Sequence, residues 1–191
     1  MLSNVKLQFC GLLVLCILLL AIPLFIRMNY SNGLLINGES YRNIRLAEDF
    51  KETGFISQDD LSYGGRKFYG EQLWLFLLSL NPEKLARWLP FIFGILSFVL
   101  FYLIINRIKP TVSTLTSLFL VTSPPFLYLF STSTKHTAAI FFVLLGFYLF
   151  LKKKNAFAYL AFFIAGAFAI LPIFLVTLIF LYKGMKERKF I

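Results

Sequence analysis

Residues 7–26 read LQFCGLLVLCILLLAIPLFI, twenty positions without a charge, bounded by Lys6 and Arg27. About 20 apolar residues in a helix match the hydrocarbon thickness of a bilayer. The run is longer than the apolar core of an ordinary signal peptide, and no small-x-small cleavage pattern follows it, so it reads as a retained first span. Its two cysteines, Cys10 and Cys16, are the only ones in the chain. They fall on different helix faces and read as small apolar residues rather than as a disulfide or metal ligands.

The rest of the chain has the same character. Hydrophobic residues make up 59% and charged residues 15%, against about 45–50% and about 25% in a soluble domain. The formal net charge is +10, a balance that in a soluble protein points to nucleic acid. Here the cations stand in short clusters between apolar runs, the pattern of the positive-inside rule, and no nucleic-acid partner is expected. Further spans are predicted at 85–106, behind the helix-starting Pro82, at 112–129, interrupted late by Pro124 and Pro125, and at 135–151. Arg107 and Lys109 end the first of these, and Lys152, Lys153 and Lys154 the last. A cytoplasmic N-terminus puts both clusters inside and the segment 27–84 outside.

The final apolar stretch, 156–182, carries Gly166 and Pro172. As one kinked fifth span it would export Lys183, Lys186, Arg188 and Lys189. As a re-entrant hairpin of two short helices, 156–170 and 172–182, it keeps them inside, and the charge bias favours the hairpin. Such a turn requires burial in protein or a cavity to line.

Eight of the nine acids (Glu39, Glu48, Asp49, Glu52, Asp59, Asp60, Glu71 and Glu83) lie between the first two spans. The cost of a carboxylate in hydrocarbon explains their exclusion from the spans but not their gathering in one loop. That loop has its own pattern. Tyr41, Ile44, Ala47 and Phe50 recur at helical spacing, with Leu46 beside them. Asn37 or Ser40 suits the start and Gly54 the left-handed position after the end, which predicts an amphipathic interfacial helix. Residues 58–70 read as an irregular loop. Gln72 to Leu80 is too short to span and reads as a second interfacial helix, with Trp74 near the headgroups. Glu39 enters the first of these helices at its N-terminal end, where the dipole favours the ionised acid. A carboxylate at an outward-facing bilayer rim can take a proton from a water-borne hydroxyl while a lipid-anchored reactant enters from the side.

The stretches GESYRNIRLAEDF (38–50), DDLSYGGR (59–66) and EKLARWLPFIFGILS (83–97), with the hairpin-bearing region that starts at Leu120, resemble the N-terminal module of the GT-C superfamily of integral membrane glycosyltransferases. The resemblance covers most of the chain and rests on the order of segments and a few polar residues. It implies an all-α polytopic membrane helical bundle, a single membrane domain with four full transmembrane helices and a C-terminal re-entrant hairpin. It also implies transfer of a sugar from a polyprenyl-phosphate carrier to an acceptor hydroxyl at the outer face of the cell membrane. Glu39 matches the family's first acid, a catalytic base or site organiser, although Asp is usual there. Asp59 or Asp60 matches the second acidic point, where some branches hold a divalent metal, Mg or Mn. Tyr41 and Arg45 match pocket-shaping positions. Members of the family usually run well beyond this length.

Charge develops on the phosphate leaving group, so cations on the outer side are the expected donor contacts: Arg66, Lys67, Arg87, Lys135 and His136, the last two beside the run STST at 131–134. For each of these residues a plainer role competes: headgroup anchoring for Arg87 and Lys135, capping or an ion pair with Arg42 or Arg45 for Glu39, a solvated turn for Asp59 and Asp60. A lone His is a poor metal site. The alternative function is a non-catalytic membrane module that binds a lipid carrier or a second membrane subunit carrying the missing C-terminal half.

Overall fold

A computed structural model describes residues 2–30, 37–59, 61–62, 65–68 and 72–170. Asp60 and the second half of the expected hairpin, 172–182, lie outside the described residues. Within them the chain forms eight helices and one two-stranded antiparallel ribbon.

Helix α1 (Leu2–Tyr30) contains the opening apolar run. Helix α4 (Pro82–Ile108) starts behind Asn81, whose side chain accepts from the Lys84 N–H, with Pro82 in its first turn where a missing N–H costs nothing. These two helices are long and apolar enough to cross a membrane. Neither is the sequestered core helix of a soluble fold, since only 22% and 28% of their apolar windows are buried. On α1 the exposed side chains Leu7, Val14, Leu18, Ile22 and Phe25 follow one helical stripe.

The segment expected as one span at 112–129 is broken. Helix α5 (Pro110–Thr122) stops at Ser123, which is extended (φ −73°, ψ 129°), and α6 (Pro124–Leu129) restarts from it. The cause is local: two successive prolines remove two N–H donors, and a residue before proline is pushed out of the helical region. Helix α7 (Lys135–Leu151) packs along both α4 and α8 (Asn155–Phe168). Helix α8 ends ahead of Pro172, with Ala169 already extended at ψ 143°. Gly146 of α7 admits the Phe162 ring of α8, as small residues do where helices must approach closely without a hydrophobic driving force.

Two apolar clusters hold the molecule together. One joins α1, α4, α5 and α6 through Cys16, Leu20, Phe98, Val121 and Phe126. The other lies under the loop helices α2 (Gly38–Thr53) and α3 (Gln72–Ser79), where Leu46, Ala47, Trp74 and Leu78 meet Ala138, Ala139 and Phe168. Trp74 is fully buried, with its ring edge-on to Phe168, so it is a core residue and not a headgroup anchor. The acidic loop is thus packed onto one end of the bundle. It positions the candidate residues described next.

Candidate functional site

Helix α2 begins where its capping chemistry dictates. Asn37 is extended, and its side-chain oxygen accepts from the Ser40 N–H at 2.8 Å. Gly54 takes the left-handed conformation (φ 72°) at the other end, and its N–H returns to the Phe50 carbonyl. The face that α2 buries keeps the expected Ala47 and Leu46, with Ile44 and Phe50 packed at its edge, but not Tyr41. Ser40, Asn43, Leu46 and Ala47 are buried while Tyr41 is 42% exposed. The first half of the helix therefore docks through polar side chains and the second half through apolar ones.

Those polar side chains meet the chain between α6 and α7. The Ser133 N–H donates to Ser40 Oγ at 3.0 Å, and Asn43 Nδ2 donates to the Ser133 carbonyl at 2.9 Å. Ser40 Oγ in turn donates to Asn37 Oδ1 at 2.7 Å, which turns its lone pairs toward Ser133. All four residues from Ser131 to Thr134 are buried. Asn43 Oδ1 and the hydroxyls of Ser131, Ser133 and Thr134 are buried without a hydrogen-bond partner among the described residues. Such groups are costly when dry, so this is a polar seam set into an apolar bundle.

Three of the expected residues are chain neighbours of the seam. Glu39 lies in the first turn of α2, immediately before Ser40 and one turn from Asn43. Lys135 and His136 follow directly from the seam, both partly buried in the first turn of α7. Thr134, at the cap position of α7, makes no side-chain capping bond. Two basic-type residues thus sit at the positive end of a helix dipole, an arrangement that disfavours cations by about 0.3–1 kcal/mol and that a bound anion relieves.

The other expected residues go elsewhere. Arg45 turns to the opposite side of α2 and pairs with Asp59, Nη2 to Oδ1 at 2.6 Å, with the Asp59 side chain only 6% exposed. Asp59 is therefore neither a solvated turn nor an open acid. It stands in strand β1 (Gln58–Asp59), opposite Arg66 of β2 (Arg66–Lys67). Arg42, Arg45, Asp59, Leu61 and Ser62 line an open cleft of about 370 Å³ beside the ribbon. Arg66 is exposed, and Arg87 lies on α4, 3.7 Å from Glu83 one turn away. A divalent ion does not fit the described residues: no three His, Cys, Asp or Glu side chains converge, and the Asp59 carboxylate is held by Arg45.

The sequence reading missed Asn43 and Ser133 as site residues and took Ser40 only as a cap. One signal was present, since Ser40 and Asn43 share the helix face of the apolar Leu46 and Ala47. Polar residues on a buried face announce a polar partner. No protein-family model, curated protein or solved structure significantly matches the chain.

Proposed function

We propose that the protein is a GT-C-like membrane module with four spans, its loop 27–84 outside. In this reading it transfers a sugar from a polyprenyl-phosphate carrier to an acceptor hydroxyl at the outer face. Glu39 takes the acceptor proton, the freed oxygen bonds to the anomeric carbon, and the carbon–oxygen bond to phosphate breaks with its electron pair going to the departing polyprenyl phosphate. Lys135 and His136, at the positive end of α7, stabilise that phosphate as its charge grows. The observation that supports this reading is the seam itself, two buried hydrogen bonds that hold the acid-bearing turn of α2 against the chain leading into Lys135. Among the described residues only α1 and α4 have full membrane length. The spans assigned to the broken α5–α6 pair and to α7 rely on burial of their irregular ends within protein.

The test is consumption of a radiolabelled polyprenyl-phosphate sugar by the purified protein. Glu39→Gln is expected to lower turnover at least about a hundredfold, within the range of general-base loss, with donor binding retained. Equal consumption by both forms overturns the base assignment. Donor binding without consumption in either form identifies a carrier-binding subunit instead.

A further inference from the structure

The contact between α2 and the 131–134 segment is built in an unusual way. It joins residues 90 and 93 positions apart in the chain, and it grips both backbone groups of one residue: Ser40 accepts from the Ser133 N–H and Asn43 donates to the Ser133 carbonyl. Both side chains are fully buried. The hydroxyl of Ser40 has its orientation set from behind by the capping residue Asn37, whose Oδ1 accepts its hydrogen bond. Apolar packing is non-directional and tolerates sliding, whereas two hydrogen bonds to the N–H and C=O of one residue fix register and rotation together. From this geometry we infer that Ser40 and Asn43 are positioning residues: they clamp Ser133 and so set the spacing between the Glu39 turn of α2 and the Lys135–His136 head of α7.

The energetic logic favours a clamp over a mere filler. Each bond contributes about 0.5–1.5 kcal/mol net, too little to hold α2 on the bundle when Leu46, Ala47, Trp74 and Leu78 already anchor its second half. The polar pair instead decides where the first half rests. Its removal leaves the helix attached and its N-terminal turn loose. The consequence for turnover rests on the transferase reading above. The mechanical consequence does not.

The experiment separates the two. Spin labels at Gly38→Cys in the first turn of α2 and Tyr128→Cys on α6, both exposed positions, are introduced into full-length protein with Cys10→Ser and Cys16→Ala. The distance distribution is expected to be narrow with Ser40 and Asn43 intact and to broaden with the near-isosteric pair Ser40→Ala and Asn43→Asp, while the protein stays monodisperse. In the unlabelled enzyme the same pair is expected to lower kcat roughly tenfold or more with KM for the donor changed less than about threefold, as misplacement of catalytic groups predicts. An unchanged distribution overturns the clamp whatever the activity. A broadened distribution with unchanged kcat overturns its part in catalysis. A broadened distribution in a protein that never turns over the donor upholds the clamp and overturns the transferase reading. Should the double variant aggregate, Ser40→Ala alone, which removes the acceptor of the Ser133 N–H and adds no charge, carries the same comparison.

Discussion

The Asp59 carboxylate is almost sealed from water, and one guanidinium nitrogen of Arg45, itself 31% exposed, lies 2.6 Å from it. Its partner offsets the cost of taking the carboxylate out of water, so the two residues are energetically one unit. Arg45→Ala strands a buried charge and is expected to destabilise the loop by about 2–3 kcal/mol, less than a fully buried pair because the arginine is partly screened. Asp59→Ala frees a half-exposed cation and costs less. The double variant recovers part of the loss, giving a coupling of about 1–2 kcal/mol in a thermal or denaturant double-mutant cycle in detergent. Additive single effects would mean that the pair does not hold the ribbon to α2. Neither residue's role was legible from composition. The sequence shows Arg45 and Asp59 14 positions apart, with Glu39, Glu48 and Asp49 nearer in sequence. Only the reversal of the chain at Gly54 selects Asp59 as the partner.

Among the elements, legibility followed how local the cause was. The start of α2 at Asn37 and its end at Gly54 are single-residue chemistry, and the sequence predicts the end and narrows the start to Asn37 or Ser40. The break at Ser123 is equally local, yet an apolar run containing two prolines still reads as one long span when hydropathy is the guide. The face that α2 buries depends on what it meets, a polar segment some 90 residues later, so periodicity pointed to Tyr41 where the structure buries Ser40 and Asn43. Close helix packing is of this second kind as well. A Cβ on Gly94 of α4 would stand 2.9 Å from the Phe130 Cβ and 2.8 Å from Leu20 Cδ1. Leu20 can turn away, but the Phe130 stem is fixed to its backbone. Gly94→Ala is therefore expected to cost about 1–3 kcal/mol by overpacking. Gly11→Ala on α1, with nothing within 4 Å of the added carbon, should leave stability unchanged or slightly raised. Unfolding of the two variants side by side in the same detergent checks the contrast. Equal stability would mean that α1, α4 and the α6–α7 connection are not in close contact at this point.

On the scale of the molecule, the proposed four spans must fit helices of unequal length into one bilayer. Helix α4 has 27 residues and rises about 40 Å, whereas α7 with 17 and α8 with 14 rise only about 25 and 21 Å, short of the roughly 30 Å hydrocarbon layer. If Lys152–Lys154, exposed at the far end of α7, sit at the cytoplasmic surface, the head of α7 stops just inside the outer edge of the hydrocarbon. There an irregular backbone survives only when covered by protein. Ser131–Thr134 meet that condition, because α2 closes over them and supplies two of their hydrogen bonds. The acidic loop is then the cover that allows a short helix to begin below the surface, and it lies on the face opposite the lysine cluster. Single cysteines at Glu52 and Lys153, both exposed, in a background lacking Cys10 and Cys16, test this in intact cells. A membrane-impermeant maleimide is expected to label position 52 directly and position 153 only after permeabilisation. Labelling of both from one side would place the loop and the lysines on the same surface. That result would remove the physical reason for burying four polar residues beneath α2.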